Sequence, residues 1–165
     1  MTAYVVTLYL HSYLRWGVLA LLLLVTARAW TGFIAARAWT RFDEIAHIAL
    51  LKTAYVQFLF GLILYVFSSP YSAAFLANIG AGIQQSALRF FGMLHIGAMF
   101  AAVGILQQGR RLSLLAKSDR SRYLRVAVTT SCALIVVCAA IPWPIFEYGR
   151  PLLRLPSACQ MTAGS

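Results

Sequence analysis

The sequence predicts an all-α integral membrane protein, a four-helix up-down bundle with the N-terminus and C-terminus both outside, the periplasmic side in a bacterium. Three observations lead there. Hydrophobic residues make up 61 % of the 165 residues and charged residues 11 %, with a mean hydropathy of +0.77. A soluble domain carries about 25 % charged residues, so this chain has too little polar surface to face water on all sides. Its apolar residues gather in four stretches long enough to cross about 30 Å of hydrocarbon. Nine of its fourteen basic residues fall on two connections and none on the connection between them, the asymmetry of positive-inside topology.

The first stretch, residues 4–30, is centred on "GVLALLLLVTA". Ala27-Arg28-Ala29 resembles a signal cleavage site, but no positive charge precedes the apolar run, which is longer than a signal h-region. It is read as the first spanning helix. The second, residues 43–67, opens on Asp43 and Glu44, acids suited to the positive end of a helix dipole, and is stopped by Ser68-Ser69-Pro70. Residues 70–87 are broken by polar residues and glycine and read as a loop holding an interfacial helix. The third spans residues 88–106, with Gln107-Gln108-Gly109 as its stop. The fourth spans residues 123–141 and ends at Pro142-Trp143-Pro144. The tail, residues 142–165, is expected to lie along the outer surface.

Orientation follows from counting. Arg28, Arg37 and Arg41 follow the first stretch, and Arg110, Arg111, Lys117, Arg120, Arg122 and Arg125 follow the third. Residues 70–87 carry no Lys or Arg, so both basic connections face the cytoplasm. The net charge of +10 is therefore a topology and lipid-headgroup signal rather than a nucleic-acid one. Membrane lipids are the expected surroundings.

Several chemistries lack candidates. There is no glycine-rich phosphate loop and no H-E-x-x-H. The acids Asp43, Glu44, Asp119 and Glu147 stand near helix ends or in connections, which leaves no carboxylate path through the membrane. Cys132, Cys138 and Cys159 form no C-x-x-C pair; the first two lie in an apolar run and read as small buried hydrophobes.

The histidines carry the functional reading. His11 and His95 each lie seven residues into their stretch, roughly 10 Å below the outer surface at 1.5 Å per residue. They lie on helices of the same direction and so can face each other. Two imidazoles at one level suit the axial positions of a b-type haem, with His11 and His95 on the iron. Gly92, Ala98, Met99 and Ala102 share the face of His95 and offer room for a flat macrocycle. Arg89, Arg150 and Arg154 stand toward the outer surface, where propionates would lie; Arg15 is about 6 Å deeper than His11 and would have to turn back upward. Other readings stay open. His11 can be an interfacial anchor among Tyr4, Tyr9, Tyr13 and Trp16. His95 can be satisfied by a backbone carbonyl or by Gln57, and the pair can serve an ion or a proton. His47 lies near the opposite side and reads as structural.

The motifs "LHSYLRW", "FLFGLILY", "LRFFGMLH" and "IPWP...YGRP", in this order, resemble a family of small four-helix bacterial membrane proteins commonly labelled cytochrome b-like. In that pattern His11 matches the H-S-x-L-R histidine and His95 the histidine of the third helix. The sequence departs from it in two places. Leu94 stands where the family often has Glu, and Ala54 and Tyr55 stand where a second-helix histidine is usual. The resemblance implies haem b and electron transport. The expectation is an electron-transfer subunit that needs partner membrane subunits, with a haem-free accessory subunit of a respiratory or photosynthetic complex as the alternative.

Overall fold

The computed structural model describes residues 3–152, and every regular element among them is a helix. These are α1 (Ala3–Ile34), α2 (Arg41–Ile63), α3 (Pro70–Ala77), α4 (Ile79–Gln84), α5 (Ser86–Arg89), α6 (His95–Leu114) and α7 (Asp119–Ala140). Two π-helical turns, Leu64–Ser68 and Phe90–Leu94, continue α2 and join α5 to α6. Four continuous helical segments are long and apolar enough to cross a membrane: Tyr4–Ile34, Arg41–Ser68, Ser86–Leu114 and Asp119–Ala140. They make the chain a multi-pass membrane protein.

Several boundaries differ from those the sequence predicts. The first helix runs past Trp30 to Ile34, and the third runs through Gln107-Gln108-Gly109 to Leu114. Both extensions contain a glycine used for close packing rather than for stopping. An ideal Cβ on Gly32 would lie 2.4 Å from the Tyr123 ring, and one on Gly109 would lie 2.3 Å from Thr129 Oγ1. Helix–helix contact holds these turns in place where local sequence alone would end them. The fourth helix begins at Asp119, four residues early, because Ser118 caps it by accepting from Ser121 N. Residues 70–87, expected as a loop, form three short helices; Ser69 caps α3, Pro70 fits its first turn, and Asn78 caps α4.

The four long segments pack in a ring in which α1 touches α2 and α7, and α6 touches α2 and α7. Leu22, Leu50, Leu106 and Val126 meet at its centre, all fully or nearly fully buried. Leu23, Leu59, Phe100 and Ile135 point outward, an apolar exterior that suits lipid. Side chains fix the two ends. At one, Arg28 of α1 meets Asp43 of α2; at the other, His11 of α1 meets His95 of α6. Of the tail, residues 142–152 are described. Its first part folds back at the histidine end, where Arg150 N donates to the Pro142 carbonyl.

Candidate functional site

The site is built where α1, α2, α6 and the end of α7 converge. The ring centroids of His11 and His95 are 6.4 Å apart with their planes at 72°. The helical segments begin at Ala3 and Ser86, which places the two histidines eight and nine residues in, still at one level.

Each imidazole has a distinct partner. His95 Nδ1 lies 2.8 Å from the carbonyl oxygen of Ala140, the last residue of α7. Carbonyls in a helix's last turn lack intrahelical donors, so this one is available to accept. A carbonyl can only accept, so Nδ1 carries the proton and Nε2 of the neutral ring keeps its lone pair. His11 is held by α2 instead. Gln57 Nε2 donates to the His11 carbonyl at 2.9 Å and lies 3.3 Å from His11 Nε2. One turn on, Gly61 makes room for the ring: a Cβ there would lie 3.0 Å from His11 Cε1. Gln57 Oε1 is buried at this junction without a partner.

Aromatic rings close the outer side. Phe90 and Phe91 lie 5.7 and 6.3 Å from the His95 ring. Tyr148 stacks on Phe90 at 4.0 Å and 14°, and Phe146 stacks on Tyr148 at 5.2 Å. The π turn Phe90–Leu94 presents the Gly92 carbonyl to the Tyr65 hydroxyl, which donates to it at 2.8 Å.

The predicted arginines stand at this end. Arg15 does turn outward, donating from Nη2 to the Leu152 carbonyl at 2.8 Å. Arg89 donates to the Ile83 carbonyl at 2.9 Å, and Arg150 lies over the rings of Tyr71 and Phe91 at 4.5 and 5.3 Å. Arg154 lies outside the described residues. These cations surround the mouth of the site rather than converge on one point inside it.

The donor set can be tested against haem. The 6.4 Å between ring centroids would let His11 and His95 hold a haem iron between them, and the His95 tautomer with its backbone acceptor suits that role. The room assigned to Gly92 does not exist: the Phe75 ring fills it, 2.2 Å from where a Cβ would lie. Ala102 belongs to the buried core. As the side chains stand, with the Phe75 ring at Gly92 and the two imidazoles edge to face, the lining leaves no room for a macrocycle. Among the described residues no group of three His, Cys, Asp or Glu could hold a metal ion.

No protein-family model, curated protein or solved structure matches this chain. Its own geometry is therefore the ground for any functional reading.

The opposite end holds a charged cluster that sequence reasoning treated only as topology. Asp43, 5 % exposed, accepts from Arg28 Nε at 2.7 Å and from the Tyr123 hydroxyl at 2.7 Å. Glu44 accepts from Arg110, Arg122 and Trp39. His47 is buried beside Trp39, with ring centroids 6.4 Å apart, far along α2 from Gln57. This cluster joins α1, α2, α6 and α7, and Tyr123 also donates to the Ala38 carbonyl, tying down the α1–α2 connection.

Proposed function

We propose that this chain is a membrane-embedded, b-type cytochrome-like electron-transfer subunit that holds one haem b between His11 and His95. The observation that carries the reading is the imidazole pair: two rings on different helices, 6.4 Å apart, one already backed by a carbonyl acceptor. Haem, when bound, supplies one-electron transfer. The chain's own residues provide the rest. His11 and His95 offer nitrogens, Ala140 fixes the His95 tautomer, and Phe90, Tyr148 and Phe146 exclude water from the outer side. Arg15, Arg89 and Arg150 make that side cationic, which favours propionates.

The nine basic residues on two connections and none on residues 70–87 support an orientation with the histidine end outside, in a bacterial cytoplasmic membrane. In this reading the subunit passes electrons to partner membrane subunits or an extracytoplasmic carrier.

The Gln57 contact favours a second reading, a haem-free accessory subunit of a respiratory or photosynthetic complex. There, His11, Gln57 and His95 serve as polar pins between helices. A reduced-minus-oxidised spectrum of protein purified in mild detergent separates the two. The haem reading expects a sharp band near about 560 nm, lost in His11→Ala and in His95→Ala and kept in His47→Ala. Protein isolated intact from haem-replete cells with no such band leaves the accessory reading.

A further inference from the structure

We infer that the outer seam between α2 and α6 binds one anionic phospholipid, with Lys52 and Arg111 on its phosphate; nothing in this depends on what the histidine pair holds. Polar side chains stand exposed along that seam, all within membrane-crossing segments: Lys52 and Tyr55 on α2, and Gln107, Gln108 and Arg111 on α6. The Tyr55 hydroxyl donates to Gln107 Oε1 and joins the two helices. Phe58 meets Phe100 edge to face at 4.6 Å. The seam advances along α2 as it recedes along α6, so the two helices run antiparallel. Lys52 lies three residues before Tyr55, and Arg111 lies four after Gln107. Both are therefore carried about 4.5–6 Å from the Tyr55–Gln107 bond in one direction, toward the end where Arg28 meets Asp43. Spacings of three and four also keep each cation on the face of its polar neighbour.

Two cations at one level of a lipid-facing seam require an anion, because a bare ammonium or guanidinium in hydrocarbon is costly. The chain's own acids are engaged elsewhere. The ion pairs among the described residues join Asp43 and Glu44 to Arg28, Arg110 and Arg122, and neither Lys52 nor Arg111 takes part. Both side chains are long enough to reach toward the headgroup layer, where a phosphodiester can accept from the two together. Gln108 adds an amide donor for an ester carbonyl. With Asp43 and Glu44 engaged, the seam offers no carboxylate to the amine of a zwitterionic head, so it favours a lipid of net negative charge. A second copy of this chain would bring the same two cations. A foreign helix would have to carry a carboxylate into hydrocarbon, whereas a phospholipid presents its charge from the boundary.

Beyond the polar patch the surface suits an acyl chain. A Cβ on Gly104 or on Gly97 would meet nothing within 4 Å, which leaves α6 shallow there, and Phe100, 57 % exposed, lies between them. A tail running from the cations toward the middle of the membrane follows this strip.

The test uses full-length protein stripped of lipid in a neutral detergent, with native mass spectrometry and thermal unfolding as readouts. Phosphatidylglycerol should stay bound as one adduct and raise the unfolding midpoint; phosphatidylethanolamine and chainless glycerol phosphate should do neither. Lys52→Gln and Arg111→Gln should each weaken phosphatidylglycerol about 5-fold and the double variant about 30-fold, the ratios that about 1 kcal/mol per basic residue gives. Lys117→Gln removes a charge from the α6–α7 connection and should leave the affinity unchanged. Gly104→Leu fills the strip, keeps both cations and should weaken binding while the fold stays intact by circular dichroism. Equal retention of the two lipids, undiminished binding in the double variant, or full protection by glycerol phosphate overturns the proposal. A stable dimer that Gly104→Leu dissociates places a second copy on the seam and overturns it as well.

Discussion

Asp43→Ala removes an acceptor that serves four donors where α1 meets α2. Its carboxylate accepts from Arg28 Nε, Thr40 N, Thr40 Oγ1 and the Tyr123 hydroxyl, and its side chain is 3 % exposed. Removing one partner of a buried ion pair costs about 3–5 kcal/mol. The Arg28 side chain is 29 % exposed, so solvent screens part of that loss. Thr40 and Asp43 also form a capping box at the start of α2, a feature worth about 0.5–2 kcal/mol. These terms overlap, because the same oxygens serve both, and together they give a loss of about 3 kcal/mol, roughly a hundredfold in the folding equilibrium. Asp43→Asn keeps one acceptor oxygen for Thr40 and Tyr123 but turns an NH2 donor toward Arg28, so it loses the ion pair, keeps the cap, and should lose less than the Ala variant. The measurement is reversible unfolding in mixed micelles, followed by circular dichroism as SDS is raised. An Ala variant within 0.5 kcal/mol of wild type would refute the assignment of this cluster as the principal tie between α1 and α2.

Two glycine substitutions should move stability in opposite directions in the same assay. Gly32→Ala forces a Cβ to 2.4 Å from the Tyr123 ring, which cannot swing away while its hydroxyl is tied to Asp43 and Ala38, and should cost about 1–3 kcal/mol. Gly104→Ala meets nothing within 4 Å and should be neutral or stabilising by up to about 1 kcal/mol, through helix propensity. Tyr123→Phe keeps the ring over Gly32 but deletes the hydroxyl, and should cost about 1–2 kcal/mol; combined with Asp43→Ala its effect should be markedly less than additive, which a double-mutant cycle will read.

Composition and apolar run length were enough to place four long helices, because lipid leaves the backbone few alternatives. Their ends were harder. Gly109 looks like a stop in one dimension and proves, like Gly32, to be a contact point, since the side chains that fill the space above them, Thr129 and Tyr123, come from another helix. Gly92 shows the same limit: it looked like open room and instead receives Phe75. The meeting of His11 with His95 was legible because depth follows from rise per residue and direction from helix order. Their hydrogen-bond partners were only half legible. A backbone carbonyl and Gln57 were both foreseen as partners for His95; the carbonyl of Ala140 serves His95, while Gln57 serves His11. Which face of α2 turns toward α1 depends on packing, and α2 is apolar nearly all round. Arg28, Arg110 and Arg122 were read as headgroup charges, and pairing with Asp43 and Glu44 accounts for all three.

The two acids of α2 are adjacent in sequence but draw on different stages of chain growth. Asp43 meets Arg28, fifteen residues earlier, so its ion pair can close once the first two helices are inserted. Glu44 waits for Arg110 and Arg122, which arrive with the third and fourth helices. Until then its one partner in this cluster is the indole of Trp39. A chain that stops before the third long segment therefore carries Glu44 without an ion-pair partner, and the arrival of Arg110 and then Arg122 neutralises it.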